Sequence, residues 1–155
     1  MAQTATVTQR SAKEAVDTFV RHYLNNNSAD VSAETITAVQ IGVGKDIQVR
    51  DYLLGLSLDY PLESLIEALS VMSEFIPEGQ RSGIYSVLAA HVYQGGDENR
   101  AQEFLALALN EDDSYSLAKL LQRVINAGWP QGAFASMTEE LHPKVVAGLD
   151  DNPIE

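Results

Sequence analysis

The sequence predicts an all-α fold of about seven or eight short helices packed as antiparallel hairpins, and three observations lead to it. Between residues 81 and 128, apolar side chains recur every three or four positions in three runs, residues 82–94, 98–109 and 114–126. That spacing places them on one face of a helix. The breaks between the runs are short, which favours antiparallel neighbours. No run alternates apolar and polar residues with the period of two that a half-buried strand requires.

The first helix is expected to begin at a capping box. Ser11 and Glu14 have the required spacing, at which each side chain bonds the backbone N–H of the other residue. The asparagine-rich residues 25–28 favour a turn that ends this helix. Ser32 is then expected to cap a second helix. A short strand over residues 38–43 is the alternative for its end.

Two further helices are expected before the central runs. Asp46 has the side chain and position of an N-cap for a third helix over residues 47–57. Pro61 suits the start of a fourth, because its missing N–H is not needed in a first helical turn. Pro77 and Gly79 indicate a loop into the central segment.

Small residues dominate the contacts expected between the two central helices. Ala89 on one helix and Ala101 and Ala108 on the next allow a close crossing. Gly95 and Gly96 follow the first of these helices, where a helix end often needs a positive φ. Asp97 is then a suitable N-cap for the second.

The bulky and small positions of this pair approximate one tetratricopeptide repeat, at Tyr85, Leu88, Ala89, Ala101, Leu105, Ala108 and Asp113. The same pattern placed one repeat further on puts Gln122 where an apolar residue belongs. The sequence therefore predicts a single helical hairpin of this style. Ser114 is the expected N-cap of the third central helix, which Gly128 closes.

A last short helix is expected over residues 131–141, with Phe134 and Met137 facing the core. Pro143 is expected to end it, because proline lacks the N–H that the helix needs. The domain organisation is then a flexible N-terminal lead over residues 1–10 and one all-α domain over residues 11–148. The core hairpin is residues 81–128, and residues 149–155 form a flexible acidic tail.

Composition narrows the classes of function. The chain of 155 residues has a formal net charge of −12 and scattered Lys and Arg residues, so nucleic-acid binding is not expected, since phosphate contacts need clustered cations. No stretch is long and apolar enough for a membrane helix. The absence of cysteine excludes disulfides and thiolate metal sites and is compatible with the cytoplasm, which is the expected location.

No motif of catalysis, metal binding or cofactor binding stands in the sequence, so the chain is not expected to be an enzyme. His22, His91 and His142 lie on different elements and outside any HExxH pattern. GxSxG, SxxK and the phosphate-binding glycine motifs are absent. His91 is expected to be hydrogen-bonded and half-buried, and the other two histidines exposed. A cleft joining His91 with Asp and Arg side chains would favour an enzyme instead.

Six residues are candidates for binding a partner: Arg50, Tyr85, Tyr93, Arg100, Tyr115 and Trp129. Arg50 can clamp a carboxylate of a partner, or it can pair with an internal acid. The aromatic candidates flank the ends of the central hairpin. Exposed aromatic residues there would anchor a partner, whereas buried ones would close the core.

Several short motifs resemble a known family: VRD at residues 49–51, the helix pair joined by Gly-Gly-Asp, and DDSYSLAKLL at residues 112–121 followed by Gly128. They are similar to an actinobacterial domain of unknown function, whose number in words is four-one-nine-two, that phages of those bacteria also carry. The resemblance starts at Val49 and covers the C-terminal half of that family's usual length. It implies a helical domain, an actinobacterial or mycobacteriophage origin, and no established chemistry.

The function predicted from these observations is a non-enzymatic helical module that binds another protein. A phage-encoded module would act on a host protein, and self-association into a homo-oligomer is the other form of the same prediction. Two alternatives belong to different classes. An acidic mimic of nucleic acid would block a basic protein and needs a regular row of carboxylates, and an enzyme would need a site that the motifs do not reveal.

Overall fold

The computed structural model describes residues 6–154, apart from the side chains of Gln131 and Phe134. Over that range eight helices follow one another: α1 (Gln9–Asn26), α2 (Ala33–Lys45), α3 (Ile47–Leu54), α4 (Leu62–Phe75), α5 (Ser82–Gln94), α6 (Glu98–Glu111), α7 (Ser116–Asn126) and α8 (Gln131–Gly148). The described residues form no sheet, and the all-α prediction is confirmed. None of these helices is long and apolar enough to cross a membrane.

α5 is the centre of the fold and contacts α3, α4, α6, α7 and α8. All of its residues are buried except Tyr85 and Gln94, which are half-buried. In the α5–α6 pair, the predicted small residues are fully buried: Ala89 on α5, and Ala101 and Ala108 on α6. The close approach also lets the Ser82 hydroxyl donate to the carbonyl of Ala108 across the pair, at 2.7 Å.

Three predicted helix caps are confirmed. The side chains of Ser32, Asp46 and Asp97 each accept from the backbone N–H three residues on, at 3.1, 3.0 and 3.0 Å. Such a bond satisfies one of the donors left free in a first helical turn. The strand alternative for residues 38–43 is wrong, because these residues continue α2.

α1 begins earlier than predicted, and the Ser11–Glu14 capping box is wrong. Thr8 is the N-cap: its hydroxyl accepts from the N–H of Ser11 at 3.1 Å, and the Ser11 hydroxyl accepts from the N–H of Thr8 at 2.8 Å. A contact remote in sequence supports the additional turn, since the N–H of Arg10 donates to the carbonyl of Asp150 at 3.0 Å.

Two further boundaries differ from the prediction. α3 ends at Leu54 and gives way at Gly55 to a 3-10 turn, Leu56–Leu58, instead of continuing to residue 57. Ser114 is not a cap of α7, which starts at Ser116. The Ser114 hydroxyl donates instead to the carboxylate of Asp112 at 2.9 Å, a local bond that competes with capping.

α8 is longer than predicted and runs through Pro143 without ending. Both Pro143 and Glu139, whose carbonyl loses its partner there, are exposed, so water can satisfy that carbonyl. Met137 does not face the core as expected and is 42% exposed. Phe134, the other residue expected to face inward, lies outside the described side chains.

The two segments expected to be flexible contact each other where the structure describes them. The N–H of Ile154 donates to the carbonyl of Val7 at 2.8 Å, and Thr8 forms an isolated antiparallel bridge with Pro153. The guanidinium of Arg10 lies 3.2 Å from the carboxylate of Asp151. The C-terminal segment therefore lies against the start of α1.

Candidate functional site

A cavity of about 230 Å³ lies between α3, α5 and α8. Eleven residues line it: Asp51, Leu54 and Gly55 at α3, Ala90, His91 and Gln94 on α5, and Met137, Thr138, Leu141, His142 and Val145 on α8. Met137 and Leu141 are also 42% and 48% exposed, so the cavity reaches solvent beside them. An apolar cavity of roughly 150 Å³ is known to bind benzene, so this one has room for a ring with a short substituent.

His91 is the most deeply buried polar group of the cavity, at 1% exposure. Its Nε2 lies 3.0 Å from the carbonyl oxygen of Leu53. A carbonyl accepts and does not donate, so Nε2 carries the proton of this hydrogen bond. Burial lowers the pKa of His91 to about 4, against a weaker opposing effect of the Leu53 bond. The ring is therefore neutral at pH 7, and Nδ1 is an unprotonated acceptor.

The Nδ1 atoms of His91 and His142 each have no hydrogen-bond partner among the described residues, and the surface of both atoms is covered. Only for His91 does a second bond, from Nε2, fix the tautomer. Buried polar atoms in folded proteins are nearly always paired, because an unpaired one loses its hydration without compensation. The predicted hydrogen bond of His91 is confirmed. The predicted half burial is wrong, because His91 is fully enclosed by its neighbours. Nothing in the sequence indicates the acceptor left unpaired beside an apolar cavity.

His142 closes another part of the cavity, and the expectation that it is exposed is wrong. Its ring stacks on Tyr52, with centroids 5.5 Å apart and planes 28° apart. A Cβ at Gly55 would collide with its Nδ1, so the glycine permits this close approach. Burial lowers the pKa of His142, while Asp59 and Asp17 act in the opposite direction. His22, also expected to be exposed, is half-buried.

Tyr52 is held in place beneath His142 by two charged residues of α1. Its hydroxyl donates to the carboxylate of Asp17 at 2.6 Å. Lys13 pairs with the same carboxylate at 3.0 Å and lies 5.4 Å from the Tyr52 ring centroid. Burial, and then the bond to Asp17, raises the pKa of Tyr52, so its phenol stays protonated. Tyr52 is therefore a fixed, neutral surface for the imidazole.

Arg50 pairs internally. Its Nη2 lies 2.8 Å from the carboxylate of Asp51, and its Nη1 donates to the hydroxyl of Tyr115 at 3.1 Å. The structure thus joins two of the six candidate residues, Arg50 and Tyr115, and partly buries the pair with Asp51. Because Asp51 lines the cavity, its paired charge leaves the site with little net charge.

The other four candidates lie outside the cavity lining. Tyr93 is 5% exposed, and its hydroxyl donates to the carbonyl of Trp129 at 2.6 Å, while the Trp129 side chain is 42% exposed. Tyr85 and Arg100 both contact Phe104. The ring centroids of Tyr85 and Phe104 are 6.4 Å apart, and the guanidinium carbon of Arg100 lies 5.8 Å from the Phe104 centroid. Tyr85 also borders a shallow polar depression with Arg81 and Glu111.

The cavity lining combines hydrogen-bonding side chains with apolar surface. Within residues 6–154, no cluster of three or more histidine, aspartate or glutamate side chains has the arrangement of a metal site. His91 and His142 line the cavity together with Asp51, which is paired with Arg50. A cleft that joins His91 with Asp and Arg side chains is the arrangement that favours the enzyme alternative, so that alternative keeps this support. The part of the grouping that the sequence does not reveal is His142 and the identity of the aspartate, because the residues stand on α3, α5 and α8 and no spacing links them.

A family model described as "Domain of unknown function (DUF4192)" matches residues 2–131. The match starts well before Val49, so the resemblance extends further towards the N-terminus than the sequence motifs indicated. It also ends where α8 begins. The α3 and α5 walls of the cavity therefore lie inside the matched segment, and the α8 wall follows it. The chain has no match among curated proteins or solved structures.

Proposed function

This chain belongs to the DUF4192 family, and we propose that it is a non-enzymatic helical binding module whose ligand occupies the cavity between α3, α5 and α8. The observation that carries the proposal is the buried, unprotonated and unpaired Nδ1 of His91 beside an apolar cavity. A well-formed apolar pocket with a few convergent polar groups is the usual form of a ligand site. An occupant that donates a hydrogen bond would satisfy the acceptor.

The cavity has better support as the binding site than the face of the central hairpin. α5 is enclosed by its neighbours, so that hairpin offers a partner only the outer sides of α6 and α7. Leu107 and Leu120 are exposed there, at 46% and 48%, and scattered exposed leucines are ordinary in folded proteins. The cavity combines enclosure, apolar walls and a polar group, which the hairpin surface does not.

Toluene is a suitable first probe because it has the size and polarity of the cavity and needs no hydrogen bond. We expect toluene to shift the amide resonances of Gly55, Ala90 and Thr138 in ¹H–¹⁵N spectra, with little change in α1. The variant Ala90→Leu places three more carbon atoms inside the cavity and should abolish those shifts. Ala147→Leu makes the same change at an exposed position of α8, outside the cavity lining, and should leave them intact.

Two results would overturn the proposal. One is the absence of saturable shifts at these residues in the wild-type chain. The other is equal binding by Ala90→Leu and the wild type, which would place the toluene elsewhere.

A further inference from the structure

We infer that the ligand of this cavity is a small, neutral aromatic molecule that carries an N–H or O–H group and donates it to Nδ1 of His91. This inference rests on the proposed function and adds the chemistry of the ligand. It follows from the tautomer of His91, the charge of the lining and the shape of the walls.

The tautomer of His91 decides which polar group a ligand must carry in order to bond its Nδ1. Because Nε2 of His91 donates to the Leu53 carbonyl, the neutral ring has no second proton, and Nδ1 can only accept. At Nδ1 of His91, a carboxylate or phosphate would bring one acceptor against another. An alcohol, phenol, indole or amide N–H has the complementary donor.

The charge of the lining favours a neutral ligand. Asp51 is the acid among the lining residues, and Arg50 already pairs with it at 2.8 Å. A cationic ligand would therefore find no unpaired carboxylate in this lining, and it would lose hydration on entering an apolar space. An anion would in addition meet the overall negative charge of the chain.

The walls favour a flat ring of limited size. The imidazole of His142 is fixed against Tyr52 and Gly55 on one side, and Leu54, Leu141 and Val145 add apolar surface. The volume of about 230 Å³ accommodates one or two fused rings, given that roughly 150 Å³ accommodates benzene.

Binding requires a small movement in the lining. Nδ1 of His91 is covered, so a donor reaches it when a neighbouring side chain moves aside. Met137 and Leu141 stand at the mouth of the cavity and are partly in solvent. Methionine has an unbranched and adaptable side chain, which suits it to such a position.

The test compares indole with benzofuran, which has the same shape and lacks the N–H donor. We expect the wild-type chain to bind indole about tenfold more tightly, the usual effect of one hydrogen bond to a buried acceptor. His91→Met removes the strong acceptor, so that variant should bind indole and benzofuran with about equal affinity. Equal binding of the two probes by the wild type, or an unchanged preference in His91→Met, would overturn the inference.

A second readout needs no variant and decides the matter if His91→Met does not fold. The ¹⁵N resonance of the unprotonated His91 Nδ1 should move when indole binds and stay in place when benzofuran binds. Movement with neither ligand, or with both alike, counts against the hydrogen bond. Failure of toluene, indole and benzofuran alike to bind would instead defeat the proposed function itself.

A third comparison separates a free small molecule from an aromatic side chain of a partner protein. N-acetyltryptophanamide carries the same indole with a backbone attached. We expect it to bind more weakly than indole, because its amide groups would lose hydration at the apolar mouth of the cavity. Tighter binding of N-acetyltryptophanamide would assign the cavity to a partner's tryptophan and overturn the assignment to a small molecule.

Discussion

The two sides of α5 show opposite kinds of packing. Towards α6, Ala89 meets a helix that presents Ala101 and Ala108, and all three are fully buried. Towards α3 and α8, Ala90 and His91 border a cavity of about 230 Å³. Neighbouring alanines of one helix thus take part in a dense contact and in an unfilled space. A small residue therefore permits close packing, and the partner helix determines whether packing occurs.

The largest expected effect comes from removing a large side chain on the dense side. Leu105→Ala on α6 truncates a fully buried residue, and we expect the free energy of unfolding to fall by about 3 kcal/mol. Leu141→Ala at the cavity mouth is the matched control and should cost less than about 1 kcal/mol, since Leu141 is already 48% exposed. Urea denaturation of both variants gives the comparison. Similar losses would contradict the difference between the two sides.

The pH dependence of stability sharpens the comparison on the cavity side. The pKa of His91 is lowered from 6.5 to about 4 by burial, so the unfolded chain binds a proton between these pH values that the folded chain does not. The contribution of neutral His91 to the free energy of unfolding is fully present above pH 6.5. It decreases as the pH falls, and roughly 3 kcal/mol is lost at pH 4. Urea denaturation at several pH values measures this slope.

His91→Gln is the control for that slope. Its amide can still donate to the Leu53 carbonyl, and it does not titrate, so most of the decrease between pH 6.5 and 4 should disappear. A smaller slope should remain from His142, whose pKa is also lowered. An unchanged slope in His91→Gln would show that His91 is not the titrating group.

Larger side chains should also affect the stability of the two sides of α5 differently. Ala101→Leu forces three more carbon atoms into the filled contact between α5 and α6, and we expect a loss of about 2 kcal/mol. Ala90→Leu adds the same atoms to the cavity and should change stability by less than about 1 kcal/mol. Thermal unfolding of both variants suffices. A large loss in Ala90→Leu would mean that the cavity side is as tightly filled as the other.

The smallest expected effect concerns the attachment of α8. Gly55→Ala places a methyl group against Nδ1 of His142, and we expect a loss of about 1 kcal/mol together with faster amide hydrogen exchange in α8. The φ of Gly55 is −85°, so the backbone itself accommodates alanine. His142→Ala combined with Gly55→Ala removes the collision. If the double variant loses as much stability as the two single variants added together, the contact between Gly55 and His142 does not hold α8 in place.

Local patterns predicted much of the fold because their physics is local. α5 begins and ends at the predicted residues, and Ser32, Asp46 and Asp97 cap their helices through a backbone group three positions away. The Ser114 cap failed for a local reason, since the carboxylate of Asp112 competes for the same serine. At α1, a remote bond from Arg10 to Asp150 supported an earlier start.

The candidate site was beyond such reasoning. His91 could be placed on the apolar stripe of its helix, but its unpaired acceptor depends on the Leu53 carbonyl of another helix. His142 was expected in solvent, because no nearby residue reveals Gly55 and Tyr52 as its neighbours. Arg50 had two interpretations, and its pair with Asp51 at 2.8 Å agrees with the internal one.

Helix periodicity, capping and glycine turns act within a few residues, so the sequence alone indicates a helical chain and the starts of α2, α3, α5 and α6. The position of α8 against α3 and α5, and hence the cavity between them, depends on long-range packing. The physical reason is that burial, tautomer and pairing of a side chain are properties of the surfaces around it. Those surfaces come from segments far apart in the chain.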